Sequence, residues 1–94
     1  MRVAPDACIQ PSPGVLARKV GSELVLLNHD TESYFGLDRV GARMWEAFCE
    51  VGSVDGAYQV LLLQFDVDGA RLRVDVERLA SQLVELGLLQ VSST

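Results

Sequence analysis

Few side chains in this sequence are of a type that carries catalysis, and their spacing does not assemble them. The chain has one histidine, His29, and two cysteines, Cys8 and Cys49. Cys49 and His29 would form a nucleophile and base only if the fold joined them. Cys49, however, directly follows Phe48, which stands at a core-facing helical position. We therefore expect Cys49 to be a buried thiol, Cys8 an incidental one and His29 a polar turn residue.

The spacing of potential ligands predicts no metal, cofactor or phosphate site. Zinc sites need clustered histidines and cysteines, whereas these cysteines are far apart and neither belongs to a C-x-x-C pair. Asp66, Asp68 and Asp75 lack the glycine and glutamate of a calcium loop, so we assign them turn and capping roles. Residues 36–43 have the glycine spacing of a phosphate loop without its lysine and hydroxyl residue. The sequence thus predicts a binding module and not an enzyme.

Length, charge and hydropathy restrict the class of protein. The 94 residues suit one domain with a modest core, too small for a deep enclosed active site. Uninterrupted apolar runs reach only residues 60–63, whereas a membrane span needs about 20 apolar residues. The start of the chain lacks the apolar segment of a signal peptide, so we expect a cytoplasmic protein that does not enter a membrane. The net charge of −5 argues against nucleic-acid binding, which needs a basic face.

Three short strands are predicted to form an antiparallel sheet. They cover residues 15–20, 23–29 and 32–37 and are joined by short polar turns. The run Leu24–Leu27 indicates that the second strand is either covered on both sides or central in its sheet. Alternation in the third strand places Ser33, Phe35 and Leu37 on one face. Because the third strand is the last, we expect it to lie at an edge.

Three helices are predicted to follow the sheet, over residues 39–51, from Ser53 onward, and over about 70–86. Asp38 and Ser53 are suited to N-caps, and Gly87 to the position after the last helix. The positions expected to face the core are Gly41, Met44, Trp45 and Phe48 in the first helix, Val54, Ala57, Tyr58, Leu61, Leu62 and Phe65 in the second, and Leu72, Val76, Leu79, Ala80, Leu83 and Leu86 in the third. Strands followed by helices around one core define an α+β fold.

The two ends of the chain are predicted to differ from this domain. Residues 1–14 contain Pro5, Pro11 and Pro13, which indicate an extended, irregular N-terminal arm. The apolar segment 88–91 either packs back on the domain or adds a small strand. Residues 15–91 are therefore expected to form the single folded domain.

The motifs of this domain, in their order along the chain, resemble those of the PqqD-like proteins, which are the recognition elements of ribosomally synthesised and post-translationally modified peptides. The resemblance covers about residues 15–91 and rests on Tyr34-Phe35-Gly36-Leu37-Asp38, Val40-Gly41-Ala42, Trp45-Glu46, Phe65-Asp66-Val67, Asp75-Val76-Glu77-Arg78-Leu79, Leu83 and Gly87-Leu88-Leu89. It implies a winged-helix-like arrangement of a three-stranded antiparallel sheet and three helices. It also implies a function, the binding of the leader segment of a precursor peptide.

The resemblance further implies a docking site. In that family the leader binds as an added strand on the third strand and lies against the third helix. Carried over, the docking edge is Glu32, Ser33, Tyr34, Phe35, Gly36 and Leu37, and the facing helix residues are Val76, Leu79, Ala80, Leu83 and Val84. Tyr34 is expected to be the best-placed side chain. Arg71 and Arg78 either pair with acidic leader residues or are solvated helix charges.

Within the family, the chain is more similar to the discrete recognition proteins of lasso-peptide clusters than to the pyrroloquinoline-quinone members. It lacks the Pro-Gly stretch of the latter near the second strand. The resemblance implies partners that this chain serves: a separate leader peptidase of the cysteine-protease type, and an ATP-dependent enzyme that closes the ring.

Two other functions compete with leader recognition. A winged-helix DNA-binding protein would use the third helix for recognition. Arg71, Arg73 and Arg78 favour this alternative, whereas interleaved acidic residues cancel their field. A subunit that pairs edge to edge with itself would use the same third strand.

Overall fold

The order of the strands and helices matches the predicted one, with an extra strand at each end. The computed structural model describes residues 7–92. In that range the strands are β1 Cys8–Pro11, β2 Val15–Val20, β3 Glu23–Asn28, β4 Ser33–Leu37 and β5 Leu89–Ser92, and the helices are α1 Arg39–Val51, α2 Val54–Gln64 and α3 Gly69–Glu85. The α+β prediction of a three-stranded sheet followed by three helices is confirmed. None of the helices in this range is long and apolar enough to cross a membrane.

The main sheet is antiparallel and has the order β2-β3-β4, so the predicted second strand is central and the predicted third strand is β4 at an edge. Leu24 and Leu26 are buried under the helices, whereas Leu27 points to the other face and is exposed. The apolar run of β3 therefore reflects its central position, with one face covered. In residues 7–92, β2 and β4 each pair with β3 alone.

The turn between β3 and β4 is held by the side chain of Asn28. Its Oδ1 atom accepts hydrogen bonds from the backbone N–H groups of Asp30, at 2.9 Å, and Thr31, at 3.3 Å. Glu32 ends the turn with a φ of 57°, in the left-handed region that few non-glycine residues adopt. The prediction that Glu32 belongs to the strand is therefore wrong, and β4 begins at Ser33. His29 is exposed in this turn, as predicted.

β1 and β5 form a separate two-stranded antiparallel sheet in which Ile9 pairs with Val91. The expectation of an irregular arm over residues 1–14 is wrong for Cys8–Pro11, and residues 1–6 lie outside the described range. Ile9 is buried, and its N–H donates to the carbonyl oxygen of Gly52 at 2.9 Å. Burial of one apolar side chain and pairing with the C-terminal strand outweigh the local effect of the prolines.

The helices begin and end at the residues that their capping chemistry predicts. Asp38, Ser53 and Asp68 each accept a hydrogen bond from a backbone N–H of the first helical turn, at 2.8 to 3.1 Å. Gly87 follows α3 with a φ of 76°, which suits glycine. The capping predictions for Asp38, Ser53 and Gly87 are confirmed, and Asp68 has the capping role assigned to the acidic residues of this connector.

The core lies between the inner face of the sheet and the three helices. The buried helical residues are Met44, Trp45, Ala47 and Phe48 in α1, Val54, Ala57 and Leu61 in α2, and Leu72, Val76, Leu79, Ala80 and Leu83 in α3. Cys49, however, is exposed, so the prediction of a buried thiol is wrong. One residue of helix rotates a side chain by about 100°, which carries Cys49 from the inward direction of Phe48 to the surface.

Candidate functional site

The unpaired edge of β4 carries two residues whose backbone groups point away from the sheet. The N–H of His29 donates to the carbonyl oxygen of Gly14 on the β2 side, at 3.3 Å. Because backbone groups alternate in direction along a strand, the even-numbered residues of β3 face β4. Their partners in register are the odd-numbered residues of β4, such as Phe35. The N–H and C=O groups of Tyr34 and Gly36 therefore point to the unpaired edge.

The side chains of Tyr34 and Phe35 point to opposite faces of the sheet. Phe35 is half-buried on the helix side and pairs with the buried Leu26. Tyr34 is 74% exposed and pairs with Leu27 on the outer face, where Leu16 completes a row across the three strands. The predicted alternation is confirmed, but Tyr34 lies on the face of the sheet that is turned away from α3.

A groove of about 520 Å³ runs beside this edge, between β4 and α3. Its lining comprises Phe35, Gly36 and Leu37 from β4, Val40, Gly41 and Met44 from α1, Asp75, Arg78 and Leu79 from α3, and Glu23 and Asp38 at one end. A smaller pocket of about 160 Å³ adjoins it, because the two share Val40, Met44 and Asp75. Apolar side chains thus form the floor of a continuous depression next to free backbone groups.

Three of the α3 residues predicted for the site line these depressions. Leu79 and Arg78 line the groove, and Arg71 lines the smaller pocket with Phe65 and Val67. Asp75 lines both and was missed, although it is four residues from both Arg71 and Leu79, on the same helical face. The helical spacing would have identified Asp75, whereas only the tertiary fold brings Met44 of α1 to the groove.

The other predicted α3 residues do not reach the groove surface. Val76, Ala80 and Leu83 have no exposed surface and belong to the core beneath the groove. Val84 is partly buried against the core, five residues from Leu79, which is about 140° around the helix. The sequence pattern could not separate these positions, because a core face and a groove wall are both apolar stripes of the same period.

The fold is that of a family already suggested by the sequence motifs. Residues 23–89 match the family of coenzyme PQQ synthesis protein D, PqqD. The chain belongs to the PqqD family. The resemblance to PqqD-like recognition elements is thereby confirmed, and the free edge and groove described above are features of this PqqD-family domain.

Two solved structures are similar to this PqqD-family chain over most of its length. One is "TbiB1 in Complex with the TbiA(beta) Leader Peptide", with 27% sequence identity, a TM-score of 0.79, and coverage of 90% of this chain and 99% of that chain. The other is "Lasso peptide synthetase B1 complexed with the leader peptide", with 20% identity, a TM-score of 0.76, and coverage of 87% and 96%. Because the second structure is only 20% identical, its similarity is evidence for the fold alone. Among curated proteins, none matches the chain at a significant level.

The groove between β4 and α3 is lined by side chains of both charges. Glu23, Asp38 and Asp75 line it with one cation, Arg78. Within the described chain, Arg78 has no hydrogen-bond or ion-pair partner. Arg73, on another side of α3, is held by Asp55 at 2.9 Å and Glu77 at 3.0 Å and stacks over the Tyr58 ring. The hydrogen bond to Glu77, followed by the hydrogen bond and charge of Asp55, raises the pKa of Arg73 above its usual value.

The groove offers backbone and side-chain binding contacts, and Cys49 does not line it. Among residues 7–92, no group of three or more histidine, cysteine, aspartate or glutamate side chains is placed to hold a metal ion. Partial burial, followed by the charges of Glu46 and Glu50, raises the pKa of the Cys49 thiol. That shift lowers the fraction of reactive thiolate near neutral pH. What the site presents is a strand edge beside an apolar groove.

Proposed function

We propose that this chain binds the leader segment of a ribosomally synthesised precursor peptide as an added strand on β4. The observation that carries the proposal is the outward direction of the Tyr34 and Gly36 backbone groups beside the groove. An extended peptide can pair with such groups at every second residue and place alternate side chains in the groove. TbiB1 and lasso peptide synthetase B1 have the same fold and were solved with leader peptides, which supports the assignment.

The proposed docking edge runs from Ser33 to Leu37, with Glu32 in the turn at its end. Leu79, Arg78 and Asp75 form the opposite wall, and Arg71 extends it toward the smaller pocket. The groove-facing side chains of the leader would contact Phe35 and Leu79. Its alternate side chains would lie on the outer face next to Tyr34. The core residues beneath α3 support this wall without touching the leader.

The chain would act as a carrier of the precursor and perform no bond chemistry itself. Binding the leader raises the local concentration of the precursor near the enzymes that process it. The processing enzymes that we propose are a separate leader peptidase of the cysteine-protease type and an ATP-dependent ring-closing enzyme, both in the cytoplasm.

Calorimetry tests the proposal, with synthetic N-terminal segments of the short peptides that open reading frames beside this chain's gene encode. We expect micromolar or tighter binding. Proline at leader positions whose N–H pairs with Tyr34 or Gly36 removes a donor and should weaken binding about tenfold, whereas the intervening positions tolerate it. A proline scan that leaves the affinity unchanged throughout would exclude strand addition.

Two further measurements separate this function from its competitors. A mobility-shift assay at low salt tests DNA binding, which should weaken steeply as salt is added if it occurs. The pairing of Arg73 with Asp55 and Glu77 removes one of the three cations that favoured that alternative. Light scattering without peptide tests edge-to-edge self-association, which predicts a dimer that the leader dissociates.

A further inference from the structure

A second pocket, of about 420 Å³, lies on the other side of α1, between that helix and the turn that joins β2 to β3. Leu24, Ala42 and Trp45 form its apolar floor, and Lys19 and Arg39 stand on its rim. The helix α1 separates this pocket from the groove between β4 and α3, which we call the leader groove. Val40 and Met44 of α1 line the leader groove, whereas Ala42 and Trp45 line the second pocket. The described chain leaves this pocket open, which makes it a candidate for a further contact.

The second pocket and the end of the leader groove share one lining residue. Glu23, the first residue of β3, lines both depressions. A peptide strand added outside β4 lies three strand spacings from β2, which is about 14 Å at the usual spacing of neighbouring strands. About four or five extended residues span that distance. A peptide that leaves the β4 edge at Leu37 therefore needs only a short connection to reach the pocket.

The charges at the rim indicate what the pocket would receive. The protein is acidic, yet three of its eight basic residues, Lys19, Arg39 and Arg43, line this pocket, against the carboxylates of Glu23 and Glu46. In the described chain Arg43 donates a hydrogen bond to Gln64 at 2.7 Å and forms an ion pair with Glu50 at 3.6 Å, whereas Lys19 and Arg39 have no such partner. Free cations over an apolar floor suit an apolar side chain that is followed or preceded by a carboxylate.

We propose that this second pocket binds the continuation of the precursor peptide beyond the β4-bound strand, through an apolar residue next to an acidic one. The inference rests on the proposed leader binding and adds a second contact to it. Burial of the apolar residue supplies most of the affinity, because exposed ion pairs contribute little. The rim cations determine which sequence is accepted at that position.

Calorimetry with nested truncations of the leader encoded next to this chain's gene tests the second contact. The strand-binding fragment is defined as the shortest one that still protects the Tyr34 and Gly36 amide protons from exchange. Wild type should bind the full leader at least tenfold more tightly than this fragment. Ala42→Trp, which fills the pocket, should lower the affinity for the full leader about tenfold and leave the fragment unaffected. Ala70→Trp, at an exposed position of α3, is the matched control.

Two neighbouring basic residues in β2 supply a second test, with a smaller expected change in affinity. Lys19→Glu should weaken binding of the full leader about threefold, while Arg18→Glu, the neighbouring residue on the opposite face of the strand, should not. This comparison decides the question if Ala42→Trp lowers the melting temperature. Equal affinity of wild type for the full leader and the fragment, or equal effects of the Lys19 and Arg18 changes, overturns the second contact while leader binding stands. If neither peptide binds, the proposed function and this inference fail together.

Discussion

Asn28 in β3 and Gly87 at the end of α3 are joined by a hydrogen bond of 2.6 Å, with the Asn28 Nδ2 group donating to the Gly87 carbonyl oxygen. The Oδ1 atom of the same side chain accepts from the turn between β3 and β4. Asn28 is the buried polar residue of the described core, at 3% exposure. One side chain therefore ties the β4 hairpin to the C-terminal end of α3. Other residues of these two elements, Phe35 to Leu37 and Asp75 to Leu79, form the walls of the proposed leader site.

Replacing Asn28 by alanine should destabilise the domain by about 2–3 kcal/mol, because it removes three hydrogen bonds and leaves the Gly87 carbonyl unpaired. The measurement is urea unfolding followed by circular dichroism. His29→Ala, at the exposed neighbouring position, serves as the control and should change the free energy of unfolding by less than about 0.5 kcal/mol. Equal effects of the two substitutions would contradict the role of Asn28.

Replacing single backbone amides by esters should distinguish the N–H groups that point to the unpaired edge of β4 from those that pair with β3. An ester at Gly36 removes an outward N–H and should weaken leader binding about three- to tenfold, with only a small loss of stability because the Phe35 carbonyl becomes a weaker acceptor for β3. An ester at Phe35 removes an inward N–H that pairs with β3 and should cost about 1 kcal/mol of stability. Cys49 provides a natural ligation site for the synthesis. A stability loss as large for the Gly36 ester as for the Phe35 ester would show that the Gly36 N–H faces β3.

Leucines one helical turn apart in α3 should have different roles. Leu83→Ala empties a fully buried position and should destabilise the domain by about 2–5 kcal/mol. Leu79→Ala removes a groove-wall side chain, so it should weaken leader binding more than Leu83→Ala does at a temperature where both variants are folded. Affinity and unfolding must be measured on the same samples. Binding loss with Leu83→Ala alone would move the leader contact deeper into the core than the groove.

The thiol of Cys49 should react slowly for an exposed cysteine. Burial and the charges of Glu46 and Glu50 raise its pKa, so less thiolate is present at pH 8 than for an ordinary cysteine. Glu46→Gln combined with Glu50→Gln should lower that pKa and speed iodoacetamide alkylation severalfold. Mass spectrometry of peptides that contain Cys49 gives the rate, and Glu77→Gln on α3 is the control. An unchanged rate would assign the slow reaction to the partial burial of the thiol and not to the two charges.

Local sequence signals predicted most of the fold. Asp38, Ser53 and Gly87 fixed helix boundaries through capping, and the alternation around Phe35 fixed the two faces of β4. The strand β1 could not be predicted because its pairing with β5 joins the two ends of the chain. Glu32 was assigned to the strand because nothing in the sequence marks its left-handed backbone conformation.

The strand of the candidate site could be derived from the sequence, whereas the depth of its helix residues could not. The edge Ser33–Leu37 follows from strand order, which local patterns fix. The depth of a residue such as Leu83 depends on which neighbouring helices cover α3, and that information is tertiary. The contribution of Met44 to the groove has the same origin, since α1 and α3 meet only in the folded domain.

The two open edges of the β2-β3-β4 sheet differ in how they would behave in a concentrated solution. β2 carries the charged pair Arg18 and Lys19, which discourages another strand from adding there. β4 has no charged residue from Ser33 to Leu37. A chain without its peptide would therefore be more prone to non-specific aggregation along β4 than along β2, in contrast to the defined dimer of the competing hypothesis, and producing it together with the precursor should improve its yield and solubility.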